Sequence, residues 1–154
     1  MSTITPFLWF DGRAEEAMNF YVSVFKDAKV LNIRRAGAGP QAPVVSATFE
    51  LQGQRFMALN AGPLFSFTPA ISFFVSVETQ QEVDELWEKL RAGGGTEERC
   101  GWLKDRFGLS WQVIPTALGR MLGDKDQGRA QRVMEAMLKM NKIDMTGLQQ
   151  AYDG

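Results

Sequence analysis

The chain has 154 residues, 45% of them apolar and 23% charged, which are values of a globular protein with enough material for a core. Basic and acidic side chains nearly balance, giving a net charge of −1, so no general attraction to nucleic acid or to an anionic membrane is expected. There is no histidine, which removes the commonest metal ligand and the commonest general base near neutral pH; the single cysteine excludes an internal disulfide framework and fits a reducing cytoplasm.

The N-terminus, MSTITPFLWFDGR, has no basic region ahead of an apolar stretch, so it does not read as a secretion signal. Apolar runs such as Pro6–Phe10 and Phe73–Val75 are far too short to span a bilayer. Ile4–Phe10 reads as a strand, and Asp11-Gly12 ends it. Arg13–Phe25 places Ala14, Ala17, Met18, Tyr21 and Phe25 at helical spacing. Val30–Ile33 is a short strand, Ala36–Pro43 a loop with two glycines and two prolines, and Val44–Leu51 and Arg55–Asn60 the arms of a hairpin turned at Gln52-Gly53.

The second half repeats this order. Ala70–Val77 is a strand, and Thr79 with Glu82 predicts a capping box opening a helix over Gln80–Ala92 that buries Val83, Leu86, Trp87 and Leu90. Gly93-Gly94-Gly95 stops the helix. Short strands around Glu97–Cys100 and Trp102–Lys104 precede a strand over Leu109–Ile114. A shift of about 66 residues lays Phe7-Leu8 on Phe73-Phe74 and Glu16 on Glu82. Each half is therefore βαβββ, and the fold expected is α+β: two βαβββ modules, roughly 1–62 and 68–115, forming curved mixed sheets around a cavity. Residues 116–154 lie outside the repeat and read as a helical extension of the same domain, with helices over Ala130–Met140 and Ile143–Tyr152. Two roles fit this tail, packing on its own domain or sealing a dimer.

Cys100 stands between Arg99 and Lys104, cations that favour a thiolate, but a nucleophilic cysteine needs a base and no histidine exists to serve. It is the one catalytic candidate, set against a packed cysteine at a strand end. Asp105 fits the cap of an Asp-x-x-Gly turn. Strand parity sets Trp111 with Leu109 and Val113, opposite Ser110, Gln112 and Ile114. If the second set faces the cavity, Trp111 belongs to the core and the cavity donors are Ser72 and Gln112, with Phe74 beside Ser72. Trp102 offers an apolar wall for a ring-bearing ligand. Asn60 serves equally as a turn residue or as a contact at the cavity mouth.

The segments ITPFLWFDGRAEEAMNFYVSVF, FELQGQRFMALNAGP, ISFFVSV and CGWLKDRFGLSWQVIP, with the tail PTALGRMLGD…AQRVMEAMLKM, resemble the PhnB-like branch of the vicinal-oxygen-chelate superfamily, the glyoxalase, bleomycin-resistance and dioxygenase fold. The resemblance implies a homodimer, often with exchanged modules, and metal ligands on the first and last strands of each module. Those places fall on Pro6, Met57, Ser72 and Gln112, a set poor for a divalent cation. The expected function is metal-independent binding of a small, partly apolar metabolite in the cavity, with Met57 among its lining residues. Neither metal nor cofactor is expected, and the partners are that small molecule and a second copy of the chain. The alternatives are a methyltransferase of the 3-demethylubiquinone type, as a label carried by members of the branch implies, or a metal-dependent lyase or dioxygenase relative. No glycine-rich loop follows the first strand and no doubly wound strand–helix alternation appears, which counts against a Rossmann-type methyltransferase.

Overall fold

Hydrophobic alternation and two kinds of turn set the elements. The computed structural model describes residues 2–154. They divide into two compact units, the first ending at Ser66 and the second running Phe67–Gly154.

In the first unit, β1 (Phe7–Phe10) pairs in parallel with β4 (Gln54–Asn60), which pairs antiparallel with β3 (Val44–Leu51), and β3 with β2 (Ala28–Arg35). Gln52 and Gly53, at φ 49° and 83°, both adopt the left-handed conformation of a two-residue hairpin turn, which matches the twist of the strands they join. Helix α1 (Ala14–Val24) buries Ala14, Ala17, Met18, Tyr21 and Val24, and the rings of Tyr21, Phe49 and Phe56 stack successively beneath it. Arg13 makes no side-chain cap; Asn60, distant in sequence, supplies it by accepting the Ala14 N–H at 2.9 Å.

In the second unit, β5 (Ser72–Val77) pairs in parallel with β8 (Ser110–Pro115), β8 antiparallel with β7 (Trp102–Lys104), and β7 with the two-residue β6 (Thr96–Glu97). Helix α2 (Gln80–Arg91) is capped as its sequence predicts: the Thr79 hydroxyl accepts from Glu82 N at 3.2 Å. The return bond falls one residue early, from Glu78 N to the Glu82 carboxylate. Gly95 cannot be larger, because a Cβ there would sit 2.6 Å from the Lys104 carbonyl.

Three helices complete this unit: α3 (Thr116–Leu122), α4 (Gln127–Met137) and α5 (Met145–Asp153). Periodicity did not reveal α3, since seven residues with one buried position, Leu118, carry no legible stripe. Asp126 and Asp144 cap α4 and α5. Ile114, Leu118, Val133, Ile143 and Leu148 form a buried cluster, with Met121, Leu122, Met137, Met140 and Tyr152 around it. The apolar stripe of the tail thus packs on its own unit.

One expectation is corrected. The βαβββ order and the helical extension are present, but the sheets do not curve around a cavity. They are two separate open sheets of four strands, ordered β1-β4-β3-β2 and β5-β8-β7-β6. Closing a sheet takes more strands, with a stagger carried round the ring, and a barrel just wide enough to be filled by side chains has about eight; here the fourth strand of the second sheet is only two residues long.

Candidate functional site

Register brings the second-unit candidates into one line. Phe74 pairs with Gln112 across β5 and β8, and Gln112 pairs with Trp102 across β8 and β7, so the three side chains lie side by side on one face of the sheet. Phe74 is 58% exposed, and Gln112 and Trp102 are half-buried. One step along the strands, Ser72, Ser110 and Lys104 form a second line on the same face. The two lines are joined: Gln112 Nε2 donates to Ser72 Oγ at 2.9 Å. Ser72 and Gln112, picked out separately in sequence, are bonded neighbours.

Ser110 was missed as a site residue. Its Oγ is buried and has no hydrogen-bond partner among the described residues. A buried hydroxyl in that state costs about 1–3 kcal/mol, so it calls for a water or ligand oxygen. Strand parity had already set Ser110 on the face of Gln112; nothing in the sequence shows that its hydroxyl lacks a partner.

The opposite face is core. Phe73 meets Trp111 edge to face at 5.4 Å, and Trp111 is 2% exposed. Asp105, 3% exposed, holds the turn before β8: its carboxylate accepts from Phe107 N at 2.8 Å, Leu109 N at 3.1 Å and Trp111 Nε1 at 2.9 Å. These bonds spend the carboxylate on structure.

Cys100 occupies the β6–β7 turn at φ 61°, half-buried. Met57 and Asn60 belong to the first unit. Met57 is half-buried in β4 opposite Phe7. Asn60 is a clamp, accepting from Ala14 N and donating to Val44 O at 3.0 Å, and it also lines a cleft of about 390 Å³ with Gly12, Glu15, Arg35 and Pro43. Arg35 pairs with Glu15 there and donates to Ala42 O at 2.9 Å, which ties the 36–43 loop to the sheet.

No group of three or more Cys, Asp or Glu side chains suited to a metal occurs among the described residues. The two lines on the second sheet offer hydroxyls, one amide and one ammonium. Divalent cations want anionic oxygens or imidazoles, so this donor set does not fit one.

The family model described as 3-demethylubiquinone-9 3-methyltransferase matches residues 2–114. The chain belongs to this family. It lies in the PhnB-like branch of the glyoxalase/bleomycin-resistance superfamily. The PhnB protein from Bacillus cereus is 40% identical, with a TM-score of 0.66 over 74% of this chain and 99% of that one. A Pseudomonas aeruginosa protein, 22% identical over 75% of this chain and 98% of its own, shares the fold at a TM-score of 0.63. So does the fosfomycin resistance protein FosX from Listeria monocytogenes, solved with Mn(II) and sulfate, at 13% identity and 0.53 over 74% and 89%. No curated protein matches. The family match ends at residue 114, leaving α3, α4 and α5 outside it.

Proposed function

We propose that the open face of the second sheet binds a small oxygenated ring compound, of the quinone class that the family description names. The observation that carries this is the line Phe74–Gln112–Trp102, an amide between two aromatic side chains, with Ser72 bonded to the amide and the Ser110 hydroxyl behind it. Aromatic faces stack on a planar ring, and neutral hydroxyl and amide groups satisfy ring oxygens without the desolvation cost of a charge. The proposal keeps the small, partly apolar ligand expected from sequence and narrows its class.

The test is titration of the purified protein with the ubiquinone headgroup lacking its isoprenoid tail, followed by thermal shift and calorimetry. Saturable binding is expected, weakened about tenfold by Trp102→Ala, the loss typical of one stacked aromatic anchor. Gln112→Leu should weaken binding while sparing the fold; unchanged affinity in both variants would overturn the assignment.

The family description gives methyl transfer more support than an undefined metabolite has, so it stands as the second reading. The methyl donor such a reaction needs, S-adenosylmethionine, carries a ribose diol and a cationic sulfonium that carboxylates recognise. The two lines hold no carboxylate, so their donor set does not fit this methyl donor. Transfer of a labelled methyl group to the hydroxylated headgroup, with saturable stabilisation by the donor and its demethylated product, would establish this second reading. A stoichiometric divalent ion in elemental analysis, lost on chelation together with ligand binding, would replace both with the metal-dependent one.

A further inference from the structure

The β6–β7 turn is a two-residue hairpin whose central positions, Cys100 at φ 61° and Gly101 at φ 82°, are both left-handed, closed by Trp102 N donating to Arg99 O at 3.1 Å. This conformation suits Gly-Gly or Asn-Gly; a cysteine at the first position is disfavoured by its Cβ. The tail holds it in place. Cys100 N donates to Met140 O at 2.8 Å and Gly101 N to Asn141 O at 2.7 Å, while Arg99 donates to Leu138 O at 3.5 Å. Gly101 is wedged between sheet and tail: a Cβ there would lie 2.6 Å from Ile114 Cδ1 and 3.1 Å from Ile143 Cγ1.

The same tail segment is fastened at its far side. Gln80 on α2 donates to Ile143 O at 3.0 Å and accepts from Met145 N at 2.7 Å, and Lys142 pairs with Asp84 at 2.8 Å. Residues 138–145 thus run as a strap from the turn to α2. The residue that immediately follows the turn is Trp102, one wall of the ligand line.

We propose that this strap, which lies outside the family match, is a positioning element that sets Trp102 on the ligand face by stabilising the left-handed Cys100–Gly101 turn, with Gln80 as the key positioning residue. The proposal rests on the reading of that face as the ligand site for its consequence, but its geometric part stands without a ligand. It makes the tail a determinant of which ring the site accepts, beyond its contribution to the core.

The full-length chain labelled with fluorotryptophan provides the test, with the Trp102 fluorine resonance assigned from Trp102→Phe. Gln80→Leu removes both bonds of the fork and is expected to shift or broaden the Trp102 resonance while leaving that of Trp9, in the other unit, in place. Adding Cys100→Gly supplies a residue that takes positive φ freely, and should restore the Trp102 resonance with the fork still broken. A tail acting only as core would give no such rescue. Affinity for the ubiquinone headgroup should fall about fivefold in Gln80→Leu, the equivalent of one net hydrogen bond, and recover in the double variant. An unchanged Trp102 resonance in folded Gln80→Leu, or no recovery with glycine at position 100, overturns the proposal. If Gln80→Leu does not fold, Lys142→Ala loosens the same strap and is read by the same resonance. If the headgroup fails to bind the unmutated protein, the ligand reading falls and the fluorine spectrum alone decides the strap.

Discussion

Asp105 and Ser110 are both buried polar side chains beside the same strand, and they are opposites in satisfaction. Asp105 accepts from Phe107 N, Leu109 N and Trp111 Nε1, so Asp105→Ala would leave two backbone N–H groups and an indole N–H without that partner. Its expected cost is about 2–4 kcal/mol, measured by urea unfolding. Ser110 accepts and donates nothing among the described residues, so Ser110→Ala should leave the free protein as stable or about 1 kcal/mol more stable, while weakening ligand binding. A loss of stability in Ser110→Ala would show that the hydroxyl is already satisfied in the free protein. The sequence made the role of Asp105 legible, because an Asp-x-x-Gly turn before an aromatic strand leaves a carboxylate few other tasks. It set Gln112 and Ser72 toward a cavity that the open sheets do not form, and it could not show that they bond to each other. That depends on register between strands 40 residues apart in the chain, and nothing local fixes it.

At the scale of elements, the tail helices are tied to the second unit by a core and by the strap. Leu148 is wholly buried in the tail cluster, and Leu148→Ala is expected to cost about 2–4 kcal/mol in the unfolding of this unit. The strap also carries a sign for pH. Hydrogen bonds from Lys142 and then Gln80 hold the Asp84 carboxyl below its ordinary value of 3.8. Because the folded value is depressed, the contribution of Asp84 to docking is present above 3.8 and is lost as pH falls through the folded value. The Asp84 side chain is about half-exposed, so solvent screening keeps the effect small. Hydrogen exchange at Cys100 and Gly101 should accelerate, relative to the rest of the unit, as pH drops below 3.8, and Asp84→Asn should show that state already at neutral pH. Equal relative rates across the range would remove Asp84 from the strap. Of these elements the long ones were readable from periodicity and caps. Helix α3 was not, because it is short and starts directly from the proline that ends β8.

At the scale of the whole molecule, the duplication visible in the sequence is real as an order of elements, yet it does not yield closed sheets. The alternation of buried and open positions says which face of a strand is apolar, not how far a sheet bends. Phe7, Leu64 and Phe65 in the first unit and Ile71 and Phe74 in the second remain exposed as large apolar side chains. A second copy of the chain is the proposed cover for Phe7, Leu64, Phe65 and Ile71, with Phe74 left to the ligand face, and sedimentation at micromolar concentration is expected to give a dimer; a single species of monomer mass would remove that partner. Ile114 has one more consequence. It is the last position of the family match, yet it lies inside β8 and inside the tail cluster. The border of the family match therefore runs through β8 and through the buried tail cluster. A gene fragment cut at that border would keep the family pattern but lose the last residue of β8 and leave Ile114 without Leu118, Val133, Ile143 and Leu148 to cover it.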